Sequence, residues 1–345
     1  MKKSLIALAA LAAVGAASAQ SSVTLYGLID AGYSWAEHTG KLPGTTIKTT
    51  ETGFTSGNLS GSRWGMKGQE DLGNGLAAVF NVEAGFDSIN GDFTTGFNRR
   101  AVVGLKGSFG QVLVGRDDTP LDNLASGNYQ AIDSFSYDNL GGYSHPTGPA
   151  LYTGNYSGIH YTGEFSGVSV KAFAGYDEYK EEVNGVLVPG SKVKGHGVGL
   201  GLGYASGAFS IDGAVQHFEQ AIALPGAGKN TEFGVGASYD FGPAKLMGHY
   251  LGNKIENYPT FQQFVLGVTA PFGAATLGAQ YAYNRGKNLA GIKMAGHDFG
   301  VIGTYALSKR TDLYARAMRA NAWKMSWGSY KSHSDSVTVG IRHRF

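Results

Sequence analysis

The sequence predicts an all-β fold, a sixteen-stranded antiparallel barrel that crosses a membrane on its strands. Three observations predict it. Apolar and polar residues alternate with a period of two along most of the chain, and short and long connections alternate between those stretches. Glycine is abundant (54 of 345 residues) while cysteine is absent.

The first segment reads as an export signal that is removed, and residues 20–345 read as the barrel. Met1, Lys2 and Lys3 make a short positive start, Leu5 to Ala17 is apolar, and Ala17-Ser18-Ala19 supplies small residues for cleavage, leaving Gln20 first. The apolar run is shorter than the roughly 20 residues that a spanning helix needs. The chain is therefore expected outside the cytoplasm. Without cysteine it must hold itself together by hydrogen bonding and packing alone.

Composition narrows the class. Beyond the signal no stretch has the length of apolar sequence that makes a transmembrane helix. Two of the 28 basic residues lie in the signal, leaving 26 against 26 acidic ones, and a formal charge of zero gives no support to nucleic-acid binding. Gly and Tyr are plentiful whereas Leu and Glu are sparse, which speaks against a helical protein.

The strands follow from the alternation. Val23, Leu25, Gly27, Ile29, Ala31, Tyr33 and Trp35 share one face, while Thr24, Tyr26, Leu28, Asp30, Gly32 and Ser34 share the other. Leu76, Ala78, Phe80, Val82, Ala84 and Phe86 repeat the pattern opposite Asn81, Glu83 and Asp87. It returns at 168–176, 233–241, 277–283, 299–307 and 337–345. Such alternation over about 10 residues marks a membrane strand, apolar towards lipid and polar towards the lumen. Short glycine-centred turns fall at 71–75, 108–110, 165–167, 205–208, 241–243, 271–274 and 308–311. Longer polar stretches at 37–60, 118–155, 179–195 and 324–334 alternate with them. Sixteen strands then start near residues 23, 62, 75, 99, 111, 156, 168, 196, 209, 231, 244, 261, 274, 296, 311 and 335. That many leave a water-filled interior rather than a packed core.

Closure satisfies every backbone amide in hydrocarbon. A soluble barrel would fill its interior with apolar side chains, yet here the second face carries Asp, Glu, Lys, Arg and Asn. Tyr33, Trp35, Phe86, Tyr176, Tyr239, Phe241, Phe272, Tyr283 and Trp323 sit near strand ends, where interfacial girdles form. The glycines of Gly197-Val198-Gly199-Leu200-Gly201-Leu202-Gly203 have no helix after them, so they read as close packing and not as a phosphate loop. The nine histidines lack metal-ligand spacing, and no nucleophile motif surrounds His333 and Ser334, so neither a metal site, a cofactor nor an enzyme is expected. Tyr26, Tyr129, Tyr137 and Tyr143 form no ladder that would guide one class of solute.

The candidate site is a narrowing of the lumen. Residues 117–155 are the longest non-alternating stretch and hold Asp117, Asp118, Asp122, Asp133 and Asp138. Loops this long function or are disordered. Parity turns Arg63 and Lys67 inward, because Trp64 and Met66 take the lipid side. Basic groups on one wall and carboxylates opposite would set a transverse field across an aqueous passage. The competing role for these arginines is to brace the wall by pairing with neighbouring carboxylates, and Arg116 reads as structural in that sense. Small outward residues on the first strand, Gly27 and Ala31, suggest that the first and last strands bury a subunit contact.

Several segments carry a specific resemblance: QSSVTLYGLIDA at 20–31, SRWGMKGQEDLGNGLAAVF at 62–80, RRAVVGLKGSFGQVLVG at 99–115, LSKRTDLY at 307–314 and GIRHRF at 340–345. In this order they resemble the trimeric general porins of β-proteobacteria and Neisseria. The resemblance implies an outer-membrane homotrimer with the third outer loop folded inward, passing ions and small hydrophilic solutes. It also implies that Phe345 is an assembly signal read by the outer-membrane assembly machinery. The family's basic pore wall matches Arg63 and the Arg99–Arg100 pair. Parity from Leu105 turns Arg100 inward, whereas the motif match favours Arg99, and both stay candidates. A third basic position of some relatives is Gly154 here, so the implied anion preference is weak.

Overall fold

A computed structural model of the chain describes residues 22–42, 44–93, 96–125, 129–132, 154–179, 182–183, 186–187, 193–219, 228–257, 260–287, 291, 293–325 and 331–345. The proposed signal, residues 1–19, lies outside the described residues. The strands are β1 (Ser22–Leu42), β2 (Thr45–Ser56), β3 (Arg63–Gly73), β4 (Leu76–Gly85), β5 (Arg100–Gly107) and β6 (Gly110–Asp118). A short helix α1 (Pro120–Ala125) follows, then β7 (Asn155–Phe165), β8 (Val168–Tyr179), the two-residue β9 (Glu182–Val183) and β10 (Val186–Leu187), and β11 (Val193–Ser206). The chain ends with β12 (Phe209–Glu219), β13 (Asn230–Asp240), β14 (Lys245–Ile255), β15 (Thr260–Phe272), β16 (Ala275–Lys287), β17 (Lys293–Ala306), β18 (Thr311–Met325) and β19 (Lys331–Arg344).

Each strand of the large sheet pairs antiparallel with its neighbours, and β1 pairs with β19 on its other side, so the sheet closes on itself. Seventeen strands belong to it, but β2 and β3 both lie along β1, one beyond the other. They fill one position, and the barrel has sixteen. With β3 and β19 on the two sides of β1 the sheet closes, which pairs amides all round as a sheet in hydrocarbon requires, while β2 pairs, among the described residues, with β1 alone.

The outer connections are more structured than the polar stretches suggested. Residues 37–60, expected as a loop, extend β1 to Leu42 and form β2. The reason is local: β2 reads TTIKTTETGFTS, and its β-branched threonines favour extended backbone although their polarity disguises the strand. Likewise β18 runs to Met325 and β19 starts at Lys331, which shortens the expected 324–334 connection.

Two faces emerge from the pleat. Val103, Leu105, Val114, Ile159, Leu202, Val301 and Val337 are exposed on the outer one. The inner face carries Gln216, Glu232, His249, Gln263, Gln280, Asn284 and Thr338, all buried. Along β13 to β17 these polar groups bond to one another, as in Gln263 Nε2 to Asn284 Oδ1 (3.0 Å) and Asn284 Nδ2 to Asp298 Oδ2 (2.6 Å). Their burial needs a cover, and residues 119–125 and 129–132 supply it. The glycines of β11 face the same way, with Phe173, Phe218 and Pro120 packed against Gly199, Gly197 and Gly201.

Candidate functional site

The basic residues expected on one wall stand together at the ends of β3 to β6. Register pairs Glu83 with Arg100 across β4 and β5, and Asp117 on β6 lies one step beyond the Ala101–Arg116 pair. Arg100 Nε donates to Asp117 Oδ1 (2.5 Å) and Nη2 to Asp118 Oδ2 (2.8 Å). Arg99 Nε donates to Glu83 Oε1 (2.6 Å), and Arg63 Nε lies 3.7 Å from the same oxygen. The choice between Arg99 and Arg100 dissolves for a geometric reason. Regular β5 begins at Arg100, with the Arg99 amide just before it still donating to the Glu83 carbonyl (3.2 Å), and both side chains reach carboxylates. Lys67 follows Arg63 on that face, its ammonium 5.3 Å from the centre of the Tyr26 ring. Arg116 faces the other way and donates to the Asn98 carbonyl (2.7 Å), a bracing contact.

Asp117 and Asp118 differ from expectation. They do not lie on a loop across the passage from the arginines but end β6 and pair with Arg100 on the adjacent strand. The non-alternating stretch therefore begins after Asp118. Locally three arginines (Arg63, Arg99, Arg100) meet three carboxylates (Glu83, Asp117, Asp118). The ion pairs brace neighbouring strands of the wall at this array.

From Asp118 the chain turns along the polar face of the far wall. Thr119 precedes and caps α1, its Oγ1 accepting from the Asp122 amide (3.4 Å). Asp122 is half-buried on that helix. Leu121, Leu124 and Ala125 pack with Tyr129 against Leu251 and Phe261. The Tyr129 hydroxyl donates to Asp212, and burial followed by that bond holds the phenol above its ordinary range. The amides of Ala131 and Ile132 donate to Gln280 Oε1 (2.8 and 3.0 Å). Close approach requires bare backbone beneath: a Cβ on Gly236 would lie 2.6 Å from the Tyr129 ring, and one on Gly267 would lie 2.9 Å from Ala131. Asp133, Asp138, Tyr137 and Tyr143 lie outside the described residues. A cavity of about 820 Å³ opens between this segment and the near wall, bordered by Lys67, Arg100, Asp117, Asp118, Pro120 and Asn123.

Two participants escaped the sequence reading. Glu83 was visible only as one polar residue on its face, although its parity with Asn81 was the available signal. It accepts from Tyr26 as well (3.0 Å). The second is the break between β2 and β3, residues 57–62. Buried Asp30 accepts there from the amides of Leu59 and Ser60 (both 2.7 Å) and from the Tyr314 hydroxyl (2.6 Å). Leu59 thereby joins Ile132, Val265, Ala282 and Met318 in one apolar cluster. Among the described residues no group of three or more His, Asp or Glu is set to hold a metal ion.

The family described as Gram-negative porin matches residues 6–322. Outer membrane porin protein 32 of Delftia acidovorans is 32% identical, and an outer membrane porin protein of Bordetella pertussis is 31% identical, each over all of both chains. The anion-selective porin from Comamonas acidovorans superposes with a TM-score of 0.71 at 25% identity, over 94% of this chain and all of that one.

Proposed function

The chain belongs to the Gram-negative porin family, and from that premise we infer that its lumen carries ions and small hydrophilic solutes passively across the outer membrane. The protein is an outer-membrane porin, and its barrel is the diffusion path. A closed barrel with a polar inner face and a cavity beside the charged array supports this reading.

The constriction is the finer part of the proposal. Arg63, Lys67, Arg99 and Arg100 form its near wall, with Asp117 and Asp118 between them. The segment after Asp118 folds into the lumen as the third outer loop and forms its far side, bringing Asp122, and by continuity Asp133 and Asp138. One observation carries this: Arg100, Asp117 and Asp118 of the wall border the same cavity as Pro120 and Asn123 of α1. The assembly proposed is a homotrimer in outer-membrane lipid, delivered by the outer-membrane assembly machinery through Phe345.

Planar-bilayer recording tests the reading. Large, nearly ohmic steps in groups of three are expected from the purified protein. Arg63→Glu puts a second carboxylate beside Glu83. At few-ångström separations each charge pair is worth about 1–4 kcal/mol between bulk water and a protein surface. A tenfold ratio takes only about 1.4 kcal/mol, so the permeability ratio should change severalfold and zero-current potentials should move towards cation preference. The shift should shrink at 1 M salt, where screening reaches only about 3 Å. An unchanged reversal potential at low salt in a conducting channel removes Arg63 from the constriction.

A further inference from the structure

The arginines of the array are compensated where they stand, whereas among the described residues three lysines that border the same cavity are not. Lys67 on β3, Lys106 on β5 and Lys171 on β8 all border the 820 Å³ cavity. Among the described residues none of the three has a carboxylate within ion-pair distance, while Arg63, Arg99 and Arg100 all do. Glu164 is the carboxylate of the cavity that stands apart from Arg100, so three positive charges there face one negative one. The uncompensated positive charge along this cavity thus lies away from the arginine array.

Register sharpens the arrangement. Lys106 pairs with Gln111, Gln111 with Thr162, and Thr162 with Lys171, so the four form one row across β5 to β8. Three strand spacings separate the lysines, about 14 Å between backbones. Their long flexible stems allow both ammonium groups to close on one ligand from opposite ends. Gln111 and Thr162 between them offer an amide and a hydroxyl, donors to an oxyanion. The row lies beside the short turns at 108–109 and 166–167, which places it near the periplasmic mouth.

We propose that the Lys106–Gln111–Thr162–Lys171 row, with Lys67 beyond it, is a binding site for elongated multivalent anions, of which a short linear polyphosphate is the type. A monovalent anion engages one lysine in water and gains little. A chain of phosphates meets both ends of the row with charge-assisted hydrogen bonds. Low-dielectric walls concentrate the field in such a cleft. The channel then has two electrostatic stations: a charge-balanced array, and an anion station on its periplasmic side. The proposal rests on the channel reading above.

The test is one-sided block by tripolyphosphate in single channels of the full protein at low salt. The chain has no cysteine, so a biotinylated Thr46→Cys residue at the tip of the β1–β2 hairpin reports orientation through streptavidin. Periplasmic addition should block at a concentration about tenfold lower than outer addition, and Lys106→Gln/Lys171→Gln should erase that difference. Lys106→Arg/Lys171→Arg, keeping both charges, should preserve it. Equal block from both sides of the unmutated lumen overturns the site, as does undiminished block in the glutamine pair. Failure of any preparation to conduct overturns the channel reading instead, and a conducting channel blocked equally from both sides overturns the lysine row alone.

Discussion

The ring of Phe345 lies over Gly27, where it occupies the space that a Cβ on Gly27 would take. The two residues also exchange backbone hydrogen bonds, Gly27 N to Phe345 O and Phe345 N to Gly27 O, each 3.1 Å. The last residue of the chain thus seals the seam of the barrel against the first strand. Gly27 is occupied within its own chain, so its small size serves closure before it serves any contact between subunits.

Deleting Phe345 removes both the ring and the last rung of the seam. Heat-modifiable, protease-resistant barrel should fall sharply, and unfolded chain should collect in the periplasm. Gly27→Leu should give a milder version, because a side chain there must displace the ring. Normal yields of folded barrel from the deletion, at ordinary expression, would show that the seam closes without Phe345.

Glu83 sets the charge of the array from the carboxylate side. It is shared by Arg99 at 2.6 Å and Arg63 at 3.7 Å. Glu83→Gln keeps the shape, removes one negative charge and leaves the array positive. Reversal potentials in a salt gradient should move towards anion preference, opposite in sign to Arg63→Glu and again by severalfold at low salt. A shift towards cations would mean that Glu83 acts by positioning the arginines and not by its charge.

Asp30 anchors the break in the wall. It is fully buried and accepts from two amides of residues 57–62 and from Tyr314. Hydrogen bonds to a charged group are worth about 1.5–3 kcal/mol each, and Asp30→Ala loses all three while orphaning buried donors. The temperature at which the barrel loses its compact electrophoretic mobility should drop clearly. Tyr314→Phe, which removes one bond, should drop it less. Equal effects would place the stabilisation in Tyr314 alone.

Gly236 controls how closely the segment after β6 lies against its wall. A valine there suits a strand but pushes the Tyr129 ring into the lumen. Gly236→Val should lower single-channel conductance while leaving the barrel resistant to protease. Unaltered conductance from folded protein would show that residues 119–125 and 129–132 lie away from the ion path.

Much of this architecture was legible in the chain because a pleated strand has a strict period of two. That period alone turned Arg63, Lys67 and Arg100 to the polar face and Val103, Leu105 and Val337 to the other. It also marked close packing along Gly197–Gly203, because no helix followed. Short turns and the strand count came from the same local signals, whereas the polar stretch 37–60 read as a loop and formed strand. What the period does not encode is which residues meet across strands, since register and loop placement rest on contacts far apart in sequence. Only the folded barrel brought Asp117 and Asp118 beside Arg100, made Glu83 a partner of Arg99, and set Leu59 against Ile132. It also set Lys67, Lys106 and Lys171 on one cavity without carboxylate partners among the described residues and laid Phe345 on Gly27. The sequence by itself determined the faces, whereas the pairings that charge and seal the lumen were decided by closure, which joins the first strand to the last.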